Sequence, residues 1–288
     1  MKMHEDEIEI NENIVKQLIN EQFSQYKDLP IYKINSMGTV NAIYRLGDEY
    51  SVRLPRISWA VESLFREIQI LPVIAKKVTL TIPEVIEKGE PTDKYPFNWA
   101  IYKWIEGDIY DNSIIDEVRA VEALARFVNE LSSIQVSGNE LKTGRKPLRE
   151  LNEITIKALK ESRNEIDAEK ALKCWKELFK TEAWDGNPVW IHADLLKSNL
   201  LVNNGMLSAV IDFGSAGIGD PAFDITPAWT VLTSKTREVF KRLVKADDNA
   251  WLRAKAYALH QAALIIPYYR ETNPDFVNQA KNTIDGML

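Results

Sequence analysis

Between Val189 and Phe213 the chain sets three short apolar runs, VWIH, NLLV and LSAVIDF, around one loop, ADLLKS, and one tight turn, Asn203-Asn204-Gly205. Asn-Gly between apolar runs is a strong hairpin signal. A hairpin brings its two open ends together. Asp194 and Asn199, on the loop that enters a strand at 200–202, should therefore converge with Asp212, which leaves a strand at 207–211. An Asn and an Asp at that end form a hard oxygen pair suited to Mg²⁺. Asp194 is then left beside the metal, free to accept a proton or orient a hydroxyl. Metal ligands on a triphosphate, with an acceptor beside the attacking oxygen, are the parts that phosphoryl transfer requires. Taken singly, Asp212 as a turn cap and Asp194 as a helix cap would be ordinary. The joint pattern is what argues for a site. His192 reads as a buried residue holding the loop rather than as a proton carrier.

Composition narrows the alternatives. At 288 residues the chain can build a large core or two lobes without staples. Its formal charge of -6 disfavours a nucleic-acid partner and mildly favours a cationic one. A single cysteine, Cys174, excludes an internal disulfide and a cysteine metal site. The three histidines, His4, His192 and His260, show no metal-ligand spacing. The acidic start MKMHEDEIEI lacks an apolar signal core, and runs such as AALII are too short to span a bilayer. These features imply a soluble, cytoplasmic chain, monomeric or dimeric, with no membrane partner. No G-x-x-x-x-G-K-[ST] is present, which disfavours a Walker-type ATPase.

The organisation is α+β. NENIVKQLINEQF predicts a helix capped by Asn11, and IYKINSMGTVNAIYRLGDEYSVRLPR predicts strand, loop, strand, turn, strand. A helix over 60–75 follows, with Val61, Leu64, Phe65, Ile68 and Leu71 on one face and Pro72 kinking or ending it. LTIPEVIEKG and FNWAIYKWI supply two more strands, giving a five-stranded, mostly antiparallel sheet with a helix on it. Beyond a hinge near 103–107 the pattern turns helical, over about 112–136, 148–163, 167–183, 221–231, 234–245, 248–266 and 274–287. The lobes divide as 1–104 and 105–288. Trp251, Ala254 and Ala258 share a helix face and read as core.

H-x-D-x-x-x-x-N followed by a hairpin and D-F-G resembles the kinase fold. VWIHADLLKSNLLVNNGMLSAVIDFGSAGIGDPAFDITPAW is similar, nearly end to end, to the catalytic segment of the aminoglycoside phosphotransferase family of small-molecule kinases. VNAIYRL, VRLPR, YPFNWAIYKWIEGD and YYRETNP extend the resemblance over essentially the whole chain. It implies a protein-kinase-like two-lobed fold: an N-terminal five-stranded antiparallel sheet with a helix, then a mainly helical C-terminal lobe.

By position, the resemblance makes Asp194 the catalytic Asp and Asn199 and Asp212 the Mg²⁺ ligands. Arg53 stands where the family has a phosphate-contacting basic residue, often Lys. Glu67 is its natural partner, ahead of Glu62. NSMGTVN occupies the place of the loop over the phosphates, with Ser36, Gly38 and Thr39 as contacts. Tyr102, Lys103, Trp104 and Ile105 would form the hinge that reads the base of ATP or GTP, and the bulk of Tyr102 biases the site toward GTP. Ala193 replaces the family's common Gly. SAGIGDPAFD follows DFG at once, without the platform a peptide substrate needs, which argues for a small acceptor.

Asp220-Pro221 reads as a helix start. Asp224 reads either as support for that start or as support for the catalytic loop, and it also joins the acceptor-site candidates. The others are Asp108, Asp111, Asp116, Asp275 and, first among them, Glu271. The resemblance implies Mg²⁺-dependent transfer of a nucleotide γ-phosphate to a hydroxyl of a small, cationic molecule of aminoglycoside type. A metabolic kinase acting on a sugar, a choline-like alcohol or homoserine-like acceptor is the alternative, and a non-catalytic nucleotide-binding module is a third.

Overall fold

The computed structural model describes residues 7–34, 40–138 and 140–288. Asn11 caps α1 (Glu12–Gln22) by accepting from the Ile14 N–H at 3.1 Å, and Val15, Leu18 and Ile19 form its buried face. Next come β1 (Ile31–Ile34), β2 (Asn41–Leu46), β3 (Tyr50–Pro55), α2 (Ser58–Ile74), β4 (Val85–Gly89) and β5 (Trp99–Lys103). The five strands form one sheet in the order β1-β2-β3-β5-β4, antiparallel throughout rather than mostly so. Alternate side chains leave opposite faces. Val52, Leu54, Trp99 and Ile101 pack with α1, while Ala100 and Tyr102 join the core that includes α2. Arg53 lies opposite Ala100 in the register and so shares the α2 face.

On α2, Leu64, Ile68 and Leu71 are buried as the periodicity predicts, but Phe65 is exposed and Glu67 takes an interior place. Pro72 sits in the last turn, where it has no N–H to donate to the Ile68 carbonyl, and the helix ends two residues later.

The rest of the chain contains β6 (Asp108–Ile109), α3 (Glu117–Ser132), α4 (Asn152–Glu161), α5 (Ala168–Leu178), β7 (Val189–Ile191), β8 (Leu200–Asn203), β9 (Met206–Val210) and β10 (Gly217–Gly219). It closes with α6 (Pro227–Thr230), α7 (Ser234–Leu243), α8 (Asp248–Tyr269) and α9 (Pro274–Asp285). β6, β8 and β9 form a three-stranded sheet, and β7 pairs with β10. The helix predicted over 112–136 is shorter. Asp111 closes a turn on the Ser113 N–H at 2.7 Å, and Asp116 then caps α3 by accepting from Val118 and Arg119. The helix predicted over 221–231 is a 3₁₀ turn, Pro221–Ile225, followed by α6, because Pro227 has no N–H to carry the ladder on.

Two tertiary ties fix what lies behind the hairpin. Asp220 accepts from Arg253 Nε at 2.9 Å and Nη2 at 3.1 Å, from the Tyr257 hydroxyl at 3.1 Å and from the Ala222 N–H, which anchors α8 to the stretch after DFG. Segment 141–145 lies along β10: the Ile218 N–H donates to Leu141 O at 2.8 Å and the Thr143 N–H to Ile218 O at 2.9 Å. A β-carbon on Gly217 would stand 2.6 Å from Leu141 O, so only a glycine permits this approach. Ala254 and Ala258 are buried on α8, and Trp251 packs against Trp229 at 4.8 Å. No helix among the described residues is long and apolar enough to cross a membrane.

Candidate active site

Asn204 and Gly205 both take left-handed backbone (φ 51° and 74°), the geometry of the twisted two-residue hairpin turn between β8 and β9. At the open end the Ile211 N–H donates to Asn199 O at 2.9 Å. This single bond sets Asn199 beside Asp212. The Asn199 amide nitrogen donates to Asp194 O at 2.9 Å and to Asp194 Oδ2 at 3.3 Å, which brings the third residue in and turns the amide oxygen away from the carboxylate. The three side chains singled out from the sequence therefore converge.

The loop before them is held by buried groups. Asp224, 1 % exposed, accepts from the His192 N–H and the Ala193 N–H, each at 2.7 Å. Both its oxygens are committed. Of its two readings, the geometry places Asp224 as a support for the loop that carries Asp194, with no exposed oxygen aimed at solvent. Burial raises its carboxyl to about 7, against the pull of those two N–H groups. Ala193 is left-handed at φ 66°. The His192 ring lies edge-on to Phe213 at 4.5 Å; its Nδ1 accepts from the Asp194 N–H at 3.2 Å, so Nε2 carries the proton toward Ile211 O at 3.1 Å. Burial lowers this imidazole to about 4, and it is neutral near pH 7, a structural residue.

Arg145 is a residue the sequence did not single out. It arrives from segment 141–145 and grips the loop twice: Nε donates to Ala193 O at 3.0 Å, and Nη2 forms an ion pair with Asp194 Oδ1. Burial raises the Asp194 carboxyl and the Arg145 charge opposes it, leaving the group above its ordinary value. Nothing in G-R-K-P marks this role, because the pairing spans 49 positions and depends on how 141–145 packs against β10.

Across from the hairpin, Arg53 on β3 reaches both Glu67 of α2 and Asp212, the latter at 3.0 Å. The Asn41 amide, its oxygen toward the guanidinium, accepts from Nη2 at 3.1 Å and Nε at 3.3 Å; Asn41 was also missed from sequence. Glu62, the rival to Glu67, is exposed. Burial alone would raise the Asp212 carboxyl, but the charge and hydrogen bond of Arg53 outweigh it and hold the carboxyl below its usual range.

Tyr102 is buried on the same face, its hydroxyl without a partner among the described residues, and burial followed by the Glu67 charge raises the phenol. In the hinge, the Trp104 N–H is spent on Glu49 O at 2.7 Å and the Trp104 ring lies under Arg45 at 3.9 Å. The Ile105 N–H has no partner among the described residues. Ser36, Gly38 and Thr39 lie outside the described residues.

The remaining acidic candidates sit on separate local elements. Asp111 and Asp116 are used in the turn and cap before α3. Asp108 sits exposed on β6, opposite Val202, and Asp275 in the first turn of α9. Glu271 lies exposed in the turn between α8 and α9, next to Arg270, which pairs with Glu165. Among the described residues, neither Asp108 nor Glu271 makes an ion pair or side-chain hydrogen bond with the converged group.

The donor set fits a metal that arrives with its own oxygens. Asp212 and Asn199 offer hard oxygens, and no cluster of three or more His, Cys, Asp or Glu among the described residues could form an all-protein cage. Mg²⁺ is commonly held in this way, by one or two protein oxygens plus phosphates and water.

Solved structures with the same architecture include the GDP complex of an aminoglycoside 2'-phosphotransferase-IIIa mutant, with a TM-score of 0.77 and 19% identity over 96% of this chain and 97% of that one. A GDP and kanamycin complex of APH(2")-IIIa gives a TM-score of 0.70 at 19% identity, over 95% and 98% of the two chains. The macrolide 2'-phosphotransferase of Brachybacterium faecium gives 0.62 at 16% identity, over 95% and 97%. At these identities the likeness is one of fold, and it is the kinase-like α+β fold that the sequence resemblance implies. No curated protein sequence matches. A model of the phosphotransferase enzyme family does match, over residues 32–258, and the chain belongs to that family.

Proposed function

We propose that the chain is a Mg²⁺-dependent kinase that moves the γ-phosphate of ATP or GTP to a hydroxyl of a small molecule. The observation that carries this is the convergence of Asp194, Asn199 and Asp212 at one hairpin end, facing the Arg53–Glu67 pair on the sheet. Residues 1–104 hold the nucleotide and 105–288 supply the catalytic loop and the acceptor site. The Tyr102 side chain lines the back of the base pocket, and the Ile105 N–H meets the base edge. Arg53 positions phosphate oxygens, and Glu67 keeps its guanidinium in place. Asn199 and Asp212 would hold Mg²⁺, which when bound would supply positive charge to the phosphates. Asp194 orients the acceptor hydroxyl and takes its proton late, because the transition state is loose.

An aminoglycoside-type acceptor is supported by the net charge of -6 and by the kanamycin-bound relative of the same fold. A metabolic acceptor is the second reading, supported by the commitment of Asp111 and Asp116 to the turn and cap before α3, which leaves fewer carboxylates for a polycation. Release of nucleoside diphosphate from ATP and from GTP, against a panel of aminoglycosides, macrolides and small alcohols, separates them. Asp194→Ala should abolish the signal while Mg²⁺-nucleotide affinity stays nearly unchanged. A wild-type rate in that variant would remove Asp194 from the mechanism. Equal turnover with ATP and GTP would remove the Tyr102 bias. Nucleotide binding with no turnover of any acceptor would favour the non-catalytic alternative.

A further inference from the structure

Arg53 does more than pair with Glu67. A guanidinium has five N–H donors in a planar fork. Here Nη1 faces Glu67, Nη2 reaches Asp212 Oδ1 at 3.0 Å, and Nη2 and Nε both reach the Asn41 amide oxygen, at 3.1 and 3.3 Å. The two carboxylates are not equivalent. The Glu67 side chain is 1% exposed, and a buried carboxylate deprived of its cation is costly, so that contact is permanent. Asp212 is 44% exposed and is the proposed metal ligand. The fork therefore already supplies Asp212 with the positive charge a metal would bring.

We infer that Arg53 is the resident counter-ion of Asp212, and that nucleotide phosphate displaces it so that metal and nucleotide load as one unit. A metal arriving alone meets a carboxylate already paired, beside a cation that Glu67 prevents from leaving. Phosphate oxygens accept the same Nη2 edge through charge-assisted hydrogen bonds, and the exchange frees Asp212. The device suits an Arg: a lysine gathers its donors on one nitrogen and lacks the planar fork that here spans Glu67, Asp212 and Asn41, so its hold on Asp212 is weaker. Binding linkage then requires that metal and nucleotide strengthen each other equally. The inference rests on the proposed function, in that it assumes a Mg²⁺-nucleotide site.

Free Mn²⁺, measured by electron paramagnetic resonance during titration of the full chain with and without ADP or GDP, tests it. Arg53→Lys should bind Mn²⁺ alone about tenfold more tightly than wild type, and its gain on adding nucleotide should shrink by the same factor. Because Arg53→Met would strand Glu67, it is paired with Glu67→Gln, and that double variant should show the same gain. Adding Asp212→Ala to either should abolish it. If both variants bind Mn²⁺ alone no better than wild type, while wild type forms the ternary complex, the counter-ion role is wrong and the kinase reading stands. If wild type takes up no Mn²⁺ even with nucleotide, the metal assignment falls and the inference with it.

Discussion

At Ala193 the peptide backbone is held from both sides. Asp224 takes its N–H, Arg145 takes its C=O, and the same guanidinium holds the carboxylate of the next residue, Asp194. A non-glycine residue in left-handed backbone costs about 1–2 kcal/mol, so it persists where neighbours over-determine it. Removing Arg145 releases one of the two grips. Arg145→Ala should lower kcat about tenfold or more with the nucleotide KM little changed, and Arg145→Lys should recover part of the loss; steady-state kinetics with the acceptor found in the panel provide the check. Asp194, Asn199 and Asp212 were legible from sequence because one hairpin makes them neighbours in both sequence and space. Arg145 and Asn41 were not, since their contacts are made by packing between distant segments. Asp224 was ambiguous because a carboxylate near a helix start reads equally well as a dipole partner.

The elements were legible where backbone and side-chain signals agreed. The five apolar strand runs, of which β2 alternates in burial residue by residue, the Asn-Gly turn and the Asn11 cap were all there to be read. β6 and β10 were not, because two or three residues are too few for a period and their hydrogen bonds are dictated by β8 and β7. The α3 start shows how a capping carboxylate resembles a ligand. Asp116 is an acidic residue in the helical stretch after the hinge, which suggested an acceptor contact, yet its oxygen is spent on two N–H groups of its own helix. Asp116→Ala should therefore destabilise the fold by about 1 kcal/mol in chemical denaturation and leave the acceptor KM unchanged. A KM rise without loss of stability would restore it to the acceptor site.

Over the whole molecule, buried imidazoles make stability pH-dependent. Burial lowers both His192 and His260 from 6.5 to about 4. Between those values the unfolded chain binds more protons than the folded one, so their contribution to stability falls as pH drops through that window. Asp224, raised by burial to about 7, works in the opposite direction, because its folded form takes up a proton first. The difference between two proteins isolates the histidine. His260, on α8, contacts Thr155 at 2.7 Å and makes no hydrogen bond to Asp194, Asn199 or Asp212. His260→Gln should lose less melting temperature than wild type between pH 6.5 and 4; parallel curves would mean that His260 titrates normally. The two-lobed kinase-like architecture was legible because its motifs are long and ordered along the chain. The acceptor site was not, since it depends on which helical side chains turn toward Asp194, and exposed acidic residues carry no periodicity that says so.

Gly217 has no side chain and touches neither nucleotide ligand nor metal ligand, yet the charge beside Asp194 depends on it. The close approach of Leu141 to β10 is what delivers Arg145. Gly217→Ala should push 141–145 outward and reproduce the Arg145→Ala kinetics with nucleotide affinity intact, as calorimetry and turnover together would show. The backbone seam between 141–145 and 217–219 thus acts as a remote tuning point: substitutions that part it would change the charge beside Asp194 without touching the nucleotide.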